Sequence, residues 1–112
     1  MERHAWVIRL HADQVEEYVR LHAAVWPGVL QRLRDSHVTN YSIFLRRLDD
    51  GEHYLFSYFE YVGQDFVADM AAMAADAETQ RWWTFCQPCQ QPLRDAAPGT
   101  WWSPLREVFH LD

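Results

Sequence analysis

Tyr18 and His22 are the two residues of this 112-residue chain whose types and spacing point most directly to chemistry. They lie four positions apart in a segment of helical periodicity, where residues four apart are neighbours on one face. A phenol and an imidazole together supply donors and acceptors, and histidine is the usual proton carrier near neutral pH. The spacing predicts acid–base chemistry on one small molecule, and the alternative is that both side chains edge the core. Trp26 continues the same stripe.

Adjacent tryptophans form a second feature that suits a binding pocket. Trp82 and Trp83 follow each other in a helical segment, so their side chains point about 100° apart and do not both enter one core. A flat indole packs well against the apolar face of a sugar ring, although core packing explains either tryptophan equally well. The aromatic segment Pro98–Trp102 either closes such a pocket or edges the sheet, and spacing alone leaves that choice open.

The remaining reactive residue types give no further site. Cys86 and Cys89 form a single CxxC without a second pair or suitably spaced histidines, so we interpret them as small residues packed at a helix end. The chain has four glycines and no GxSxG, P-loop or GxGxxG pattern. No metal and no cofactor is therefore expected.

Composition limits the partners and the location. The hydrophobic fraction of 49% supports a core, and the length predicts one domain over residues 1–112. All ten basic residues are arginines scattered along a chain of net charge −6, which disfavours nucleic acid and anionic membranes. Neither a signal peptide nor a long apolar run is visible, so a cytoplasmic location is expected.

Hydrophobic patterning predicts the order strand, helix, strand, strand, helix, strand. The first helix starts near a D-x-x-E capping box and is interrupted at Pro27, and the second breaks near Ala75–Asp76. An Asp-Gly turn joins the two middle strands. The predicted elements are strand 4–10, helical segments from 13 to 35, strands 40–48 and 53–61, helical segments from 64 to 85, and strand 101–111.

This order predicts an α+β, ferredoxin-like βαββαβ fold with helices on one face of an antiparallel sheet. Tyrosines and phenylalanines line the other face of the predicted sheet, and a large apolar patch of this kind requires cover. The simplest cover is a second copy, which gives a two-fold homodimer joined through its sheets, a dimeric α/β barrel.

Four motifs, in order along almost the whole chain, resemble the L-rhamnose mutarotases. They are Glu17–Pro27, Asn40–Ile43, Gln80–Trp83 and Glu107–Leu111. The resemblance implies a metal-free homodimeric enzyme that interconverts the anomers of a monosaccharide. It also implies that His22 is the proton donor and that Tyr18 binds the sugar. As the second catalytic residue, Tyr18 is expected to relay or orient the proton. Tyr41, Trp82 and Trp83 would be the substrate contacts, with Trp26 added from the stripe.

Two segments, Cys89–Leu93 and Pro98–Trp102, differ from the best-known rhamnose members and look closer to a subgroup related to fucose mutarotases. L-Rhamnose is thus the predicted substrate and L-fucose the first alternative. A second alternative is a dimeric α/β barrel of another kind, which binds an aromatic ligand or uses oxygen, because fold alone does not fix function.

Overall fold

A computed structural model describes all residues of the chain, Met1 to Asp112. Its helices and longer strands alternate as the sequence predicts. They are β1 (Glu2–Leu10), α1 (Val15–His22), α2 (Pro27–Asp35), β2 (Val38–Arg47), β3 (His53–Tyr61), α3 (Phe66–Ala75), α4 (Ala77–Cys86), β4 (Gln90–Gln91) and β5 (Ser103–Pro104). None of the helices has the length and apolarity needed to cross a membrane.

The sheet is antiparallel and has the strand order β2-β3-β1-β4, with β5 also pairing with β1. Both pairs of neighbours among the three long strands run antiparallel, and the Asp-Gly turn joins β2 to β3 as predicted. Gly51 adopts a φ of 83°, a conformation that glycine reaches without steric cost. The predicted α+β, ferredoxin-like arrangement is confirmed.

Both predicted helix interruptions occur, and each has a local cause. Pro27 is the first residue of α2, where its missing N–H costs nothing. Asp76 separates α3 from α4 and caps α4, because its carboxylate accepts hydrogen bonds from the backbone N–H and the hydroxyl of Thr79 at 2.9 and 2.8 Å. Asp65 caps α3 in the same way.

Two local predictions are wrong. The capping box does not form, because the chain enters α1 through a short 3-10 turn at Ala12–Gln14 without a side-chain cap. The last strand is much shorter than predicted, because only Ser103–Pro104 pairs with β1. The N–H of Leu105 still donates to the carbonyl of Ala5 at 2.8 Å, and the chain beyond it has no regular structure.

A β-bulge in β2 determines which residues face the helices. Thr39 pairs with Glu60 and Ser42 with Tyr58, so Asn40 and Tyr41 together lie opposite one residue of β3. Asn40 has a φ of 51°, and its amide donates to the Glu60 carboxylate at 3.0 Å. The extra residue puts Val38 and Tyr41 on the same face, although strict alternation would separate them.

The main core lies between the sheet and the helices. It includes Ile8 and Leu55 from the strands, Tyr18 and Leu21 from α1, and Trp82 and Cys86 from α4. A second, smaller cluster surrounds Val38, Phe59 and Tyr61 at the other end of the sheet. The candidate site lies in the space between these two clusters.

Candidate active site

A cavity of about 420 Å³ lies between the sheet and the helices. Fourteen of its nineteen lining residues are hydrophobic, so the polar groups in the wall are few and individually identifiable. The polar residues in this wall include His22, Ser57, Thr79, Gln87 and Gln90, together with the hydroxyl-bearing Tyr18 and Tyr41.

Tyr18 and His22 meet in this cavity as neighbours on α1. Their rings stack with centroids 4.1 Å apart and an interplanar angle of 28°. Tyr18 is only 4% exposed, whereas His22 is half-buried. The spacing of four residues therefore brings both side chains to one place, as the helical stripe predicts.

The hydrogen bond of His22 indicates which ring nitrogen carries the proton. Its Nδ1 lies 2.9 Å from the carbonyl oxygen of Tyr18, which can only accept, so Nδ1 carries the proton. Burial lowers the pKa of His22, with the Tyr18 carbonyl acting in the opposite direction. Neutral His22 therefore has a lone pair on Nε2, and Nε2 makes no hydrogen bond within the chain.

Tyr18 presents the complementary group. Burial raises the pKa of its phenol well above the usual value, so the hydroxyl keeps its proton at neutral pH. The Nε2 amide group of Gln90 donates to the Tyr18 oxygen at 3.2 Å, and this contact acts to lower the same pKa. The hydroxyl makes no other hydrogen bond within the chain, which leaves its proton available to a molecule in the cavity.

Tyr41 lies in the cavity wall, next to the bulge in β2. Its ring packs edge-on against Phe59, with centroids 5.5 Å apart, and 42% of the residue is exposed. Strand alternation places Tyr41 on the same helix-covered face as Ile43, two residues further on. The bulge adds Val38 to that face.

The two adjacent tryptophans both line the cavity, although in different ways. Trp82 is 5% exposed and meets the His22 ring edge-on at 5.3 Å, so it fixes the imidazole as well as closing the wall. Trp83 is half-buried and packs against the core from its edge. Core packing and pocket lining, which the sequence left as alternatives, are combined in Trp82.

Trp26 is the one predicted site residue that lies outside the cavity wall. Helix α1 ends at His22, so the stripe of Tyr18 and His22 does not continue to position 26. Trp26 instead packs edge-on behind Trp82, with centroids 5.3 Å apart, under the guanidinium of Arg81. In this position Trp26 supports Trp82 from outside the cavity wall.

The segment after α4 supplies one cavity residue that the sequence did not single out, Gln90, and two from the aromatic segment Pro98–Trp102. Gln90 is 7% exposed, and Trp101 and Trp102 reach the cavity from the loop that follows it. The open question about this segment is resolved in favour of pocket closure, with a small contribution to the sheet at Ser103–Pro104. A glutamine in a proline-rich stretch gives no periodic signal, which explains why Gln90 was missed.

Ser57 is a second missed residue. It lies on the helix-facing side of β3, is 5% exposed, and its hydroxyl makes no hydrogen bond within the chain. The only sequence signal for it is a small polar residue at an inward position of an otherwise aromatic and aliphatic strand.

The two cysteines belong to the packing at the end of α4. Both are free thiols, Cys86 is 4% and Cys89 1% exposed, and both are members of the main core. Burial raises the pKa of the Cys86 thiol to about 12. Nowhere in the chain do three or more histidine, cysteine or acidic side chains lie close enough together to hold a metal ion.

The known proteins that are similar to this chain match it over almost its whole length. The family model described as L-rhamnose mutarotase matches residues 3–111. L-Rhamnose mutarotases of Lactiplantibacillus plantarum and Opitutus terrae are each 38% identical to the chain, over the full length of both partners. The crystal structure of an L-rhamnose mutarotase from Formosa agariphila superposes with a TM-score of 0.74, at 29% identity, and covers all of both chains.

Proposed function

Because this chain belongs to the L-rhamnose mutarotase family, we propose that it interconverts the α and β anomers of L-rhamnopyranose within a single domain. One observation carries the proposal. The rings of Tyr18 and His22 stack in the wall of the same cavity. The proton of the Tyr18 hydroxyl has no acceptor within the chain, and the lone pair of His22 Nε2 has no donor.

Mutarotation needs two coupled proton transfers. The ring opens when the anomeric hydroxyl loses its proton and the ring oxygen gains one, and a positioned acid and base together accelerate this step. The open aldehyde then rotates about its bond to the next carbon, and closure on the other face gives the other anomer. Every proton that moves during opening returns during closure.

The geometry supports one assignment of the two roles. Neutral His22 accepts the anomeric proton at Nε2, because Nδ1 already donates to a carbonyl. The Tyr18 hydroxyl donates to the ring oxygen. During closure His22 returns its proton and acts as the acid, which is the role the sequence predicts for it. The donor role of His22 is thus one half of a reversible cycle.

The intermediate state separates charge, and the site is arranged to tolerate this. Imidazolium and phenolate form next to each other, in rings whose centroids lie 4.1 Å apart. Opposite charges at this separation attract each other.

The rest of the wall supports a 6-deoxy sugar. Trp82 and Trp83 offer indole faces to the apolar side of the ring, and Tyr41 and Ser57 offer hydroxyls to the sugar hydroxyls. Side chains such as Met70 and Met73 suit a methyl group better than a hydroxymethyl group, because a buried hydroxyl without a partner is unfavourable.

Nuclear magnetic resonance saturation transfer between anomeric protons tests this function. With catalytic amounts of protein, we expect transfer between the anomers of L-rhamnose well above the uncatalysed rate and little for L-fucose. Transfer with L-fucose alone would replace the substrate and keep the reaction. Transfer with neither sugar would contradict the proposed activity.

The homodimer is also part of the proposal. On the face of the sheet away from the helices, Phe44 is 62% exposed and pairs across strands with Phe56. The chain ends in an arm, residues 105–112, whose Val108, Phe109 and Leu111 are 78 to 81% exposed. Exposed apolar side chains of this size favour burial against a second copy.

A further inference from the structure

A chain of two hydrogen bonds leads from the loop that closes the cavity to the proposed proton donor. The indole Nε1 of Trp101 donates to Oε1 of Gln90 at 2.7 Å, and Nε2 of Gln90 donates to the Tyr18 hydroxyl oxygen at 3.2 Å. Gln90 and Tyr18 are both almost completely buried, at 7% and 4% exposed. The proton transfers described above require neither Gln90 nor Trp101, so this chain of bonds needs its own explanation.

The direction of both bonds follows from the chemistry of the groups. An indole nitrogen can only donate, so the group of Gln90 that faces Trp101 must be the carbonyl oxygen. The amide nitrogen then faces Tyr18 and donates to its oxygen. With that lone pair occupied by an N–H, the hydroxyl proton of Tyr18 must point elsewhere, and it has no acceptor within the chain.

We propose that Gln90 is a positioning residue for the reaction, which turns the Tyr18 proton toward the substrate and stabilises the negative charge that develops on the phenol oxygen. Trp101 fixes the orientation of the Gln90 amide. The position of the loop that carries Trp101 therefore determines how the proton of the Tyr18 hydroxyl is directed. This inference rests on the proposed role of Tyr18 in ring opening.

The backbone around Gln90 supports a fixed position for its side chain. Gln90 pairs with Leu10 and Gln91 with Arg9 at the edge of β1. The Arg9 side chain, which is also buried, donates to the carbonyl of Pro92 at 2.9 Å and pairs with Glu52 of the hairpin. Arg94 donates to the same Glu52 carboxylate. The start of the loop is therefore held on both sides.

Two substitutions of similar size separate the two functions of the Gln90 amide. Gln90→Met removes both hydrogen bonds. Gln90→Glu keeps an acceptor for Trp101, but an ionised carboxylate cannot donate, so it accepts the Tyr18 proton and withdraws it from the cavity. Gln91→Glu introduces the same charge at the neighbouring, less buried position and is the matched control.

The measurement is the rate of L-rhamnose anomer exchange at pH 7 as a function of sugar concentration, with circular dichroism as a check of folding. We expect Gln90→Met to lower kcat about tenfold with little change in KM, as for loss of a hydrogen bond to a charged group. Gln90→Glu is expected to lose at least as much, and Gln91→Glu to behave as the wild type. Wild-type kcat in Gln90→Glu would overturn the proposal, because it would limit Gln90 to holding Trp101.

A second set of variants separates this inference from the proposed function. In a Tyr18→Phe background, Gln90→Met should cause no further loss of kcat, because Gln90 acts through the missing hydroxyl. An equal loss in both backgrounds would overturn the positioning role. Slow exchange in Tyr18→Phe together with wild-type kcat in the Gln90 variants would overturn this inference alone. Wild-type exchange in Tyr18→Phe would overturn the role of Tyr18 itself.

Trp101→Phe keeps the test available if the Gln90 variants do not fold, because position 101 is 39% exposed. The substitution keeps an aromatic ring in the loop and removes the indole N–H. We expect kcat to fall about threefold, less than in Gln90→Met, since the amide keeps its bond to Tyr18 but loses its fixed orientation. An unchanged kcat would overturn the role of Trp101.

Discussion

The two faces of the sheet are built from alternate residues of the same strands, yet they differ in almost every physical respect. The face toward the helices holds a deep cavity with a few polar groups of defined orientation. The opposite face holds Phe44 and Phe56 as a cross-strand pair, and the apolar C-terminal arm adds to the exposed surface. One face holds a cavity large enough for a small molecule, and the other exposes apolar side chains.

This difference indicates a separation of tasks. Chemistry needs donors and acceptors that are held in place and shielded from water, and the helix-covered face supplies both through α1, α4 and the loop after Gln90. Association needs area more than orientation, and the open face supplies area. We therefore expect substitutions on one face to leave the function of the other face largely unchanged.

The largest expected effect follows from removal of the base. His22→Ala should lower the rate of L-rhamnose exchange by about 10² to 10⁴, the usual range for a general acid–base group. The fold should survive, because His22 is half-buried and its only hydrogen bond is to its own helix. His11→Ala is the control, since it removes a histidine outside the cavity wall. Undiminished exchange in His22→Ala would exclude His22 from the mechanism.

Removal of the donor should have a smaller effect. Tyr18→Phe deletes one hydroxyl and leaves the stacked ring, so we expect exchange to fall by about 10- to 100-fold, which corresponds to roughly 1.4 to 2.8 kcal/mol. The Gln90 amide also loses its acceptor, which should lower the free energy of unfolding by about 1 kcal/mol. Saturation transfer and thermal unfolding measure the two effects separately. Thermal destabilisation without slower exchange would make the hydroxyl purely structural.

A charge on the open face should break the proposed dimer and leave the rate of anomer exchange intact. Phe44→Asp is expected to give a species of 13.3 kDa in sedimentation or light scattering, in place of one with twice that mass. Exchange per chain should stay within about threefold, because Phe44 is not among the residues of the cavity wall. Val67→Asp is the control, because it introduces the same charge at an exposed apolar position of α3 instead of the sheet. Loss of exchange together with the dimer would show that the two faces are not independent.

The smallest expected effect concerns the support behind the cavity. Trp26→Phe keeps an aromatic ring against Trp82, so KM for L-rhamnose should rise by less than about threefold and kcat should hardly change. Steady-state exchange at several sugar concentrations measures both constants. A large rise in KM would instead place Trp26 in direct contact with the sugar.

Local signals predicted the parts of the fold and the site that depend on a few neighbouring residues. The hairpin at Asp50–Gly51, the restart at Pro27 and the break at Asp76 each follow from one residue's conformational or capping preference. The meeting of Tyr18 and His22 follows from helical spacing alone.

Features that depend on tertiary pairing were not predictable in this way. The bulge that places Val38 on the same face as Tyr41 needs the register between β2 and β3, and the sequence around Asn40 does not specify that register. The apolar residues of 105–112 are typical of a strand, but Pro104 has no N–H and the regular pairing with β1 ends at Ser103–Pro104. The role proposed for Gln90 depends on its contacts with Trp101 and Tyr18, which lie 11 and 72 positions away in the sequence.

The rate of L-rhamnose exchange as a function of pH tests the central claim most directly, after subtraction of the uncatalysed rate at each pH. Burial lowers the pKa of His22, so its neutral form should predominate at pH 7 and should be lost only below the usual histidine value of about 6.5. With neutral His22 as the base, we expect kcat/KM to be nearly constant around neutrality and its logarithm to fall by one per pH unit as the solution becomes more acidic. An enzyme that gains activity on acidification through this range would require protonated His22 as the initial acid and would contradict the role of neutral His22 as the base.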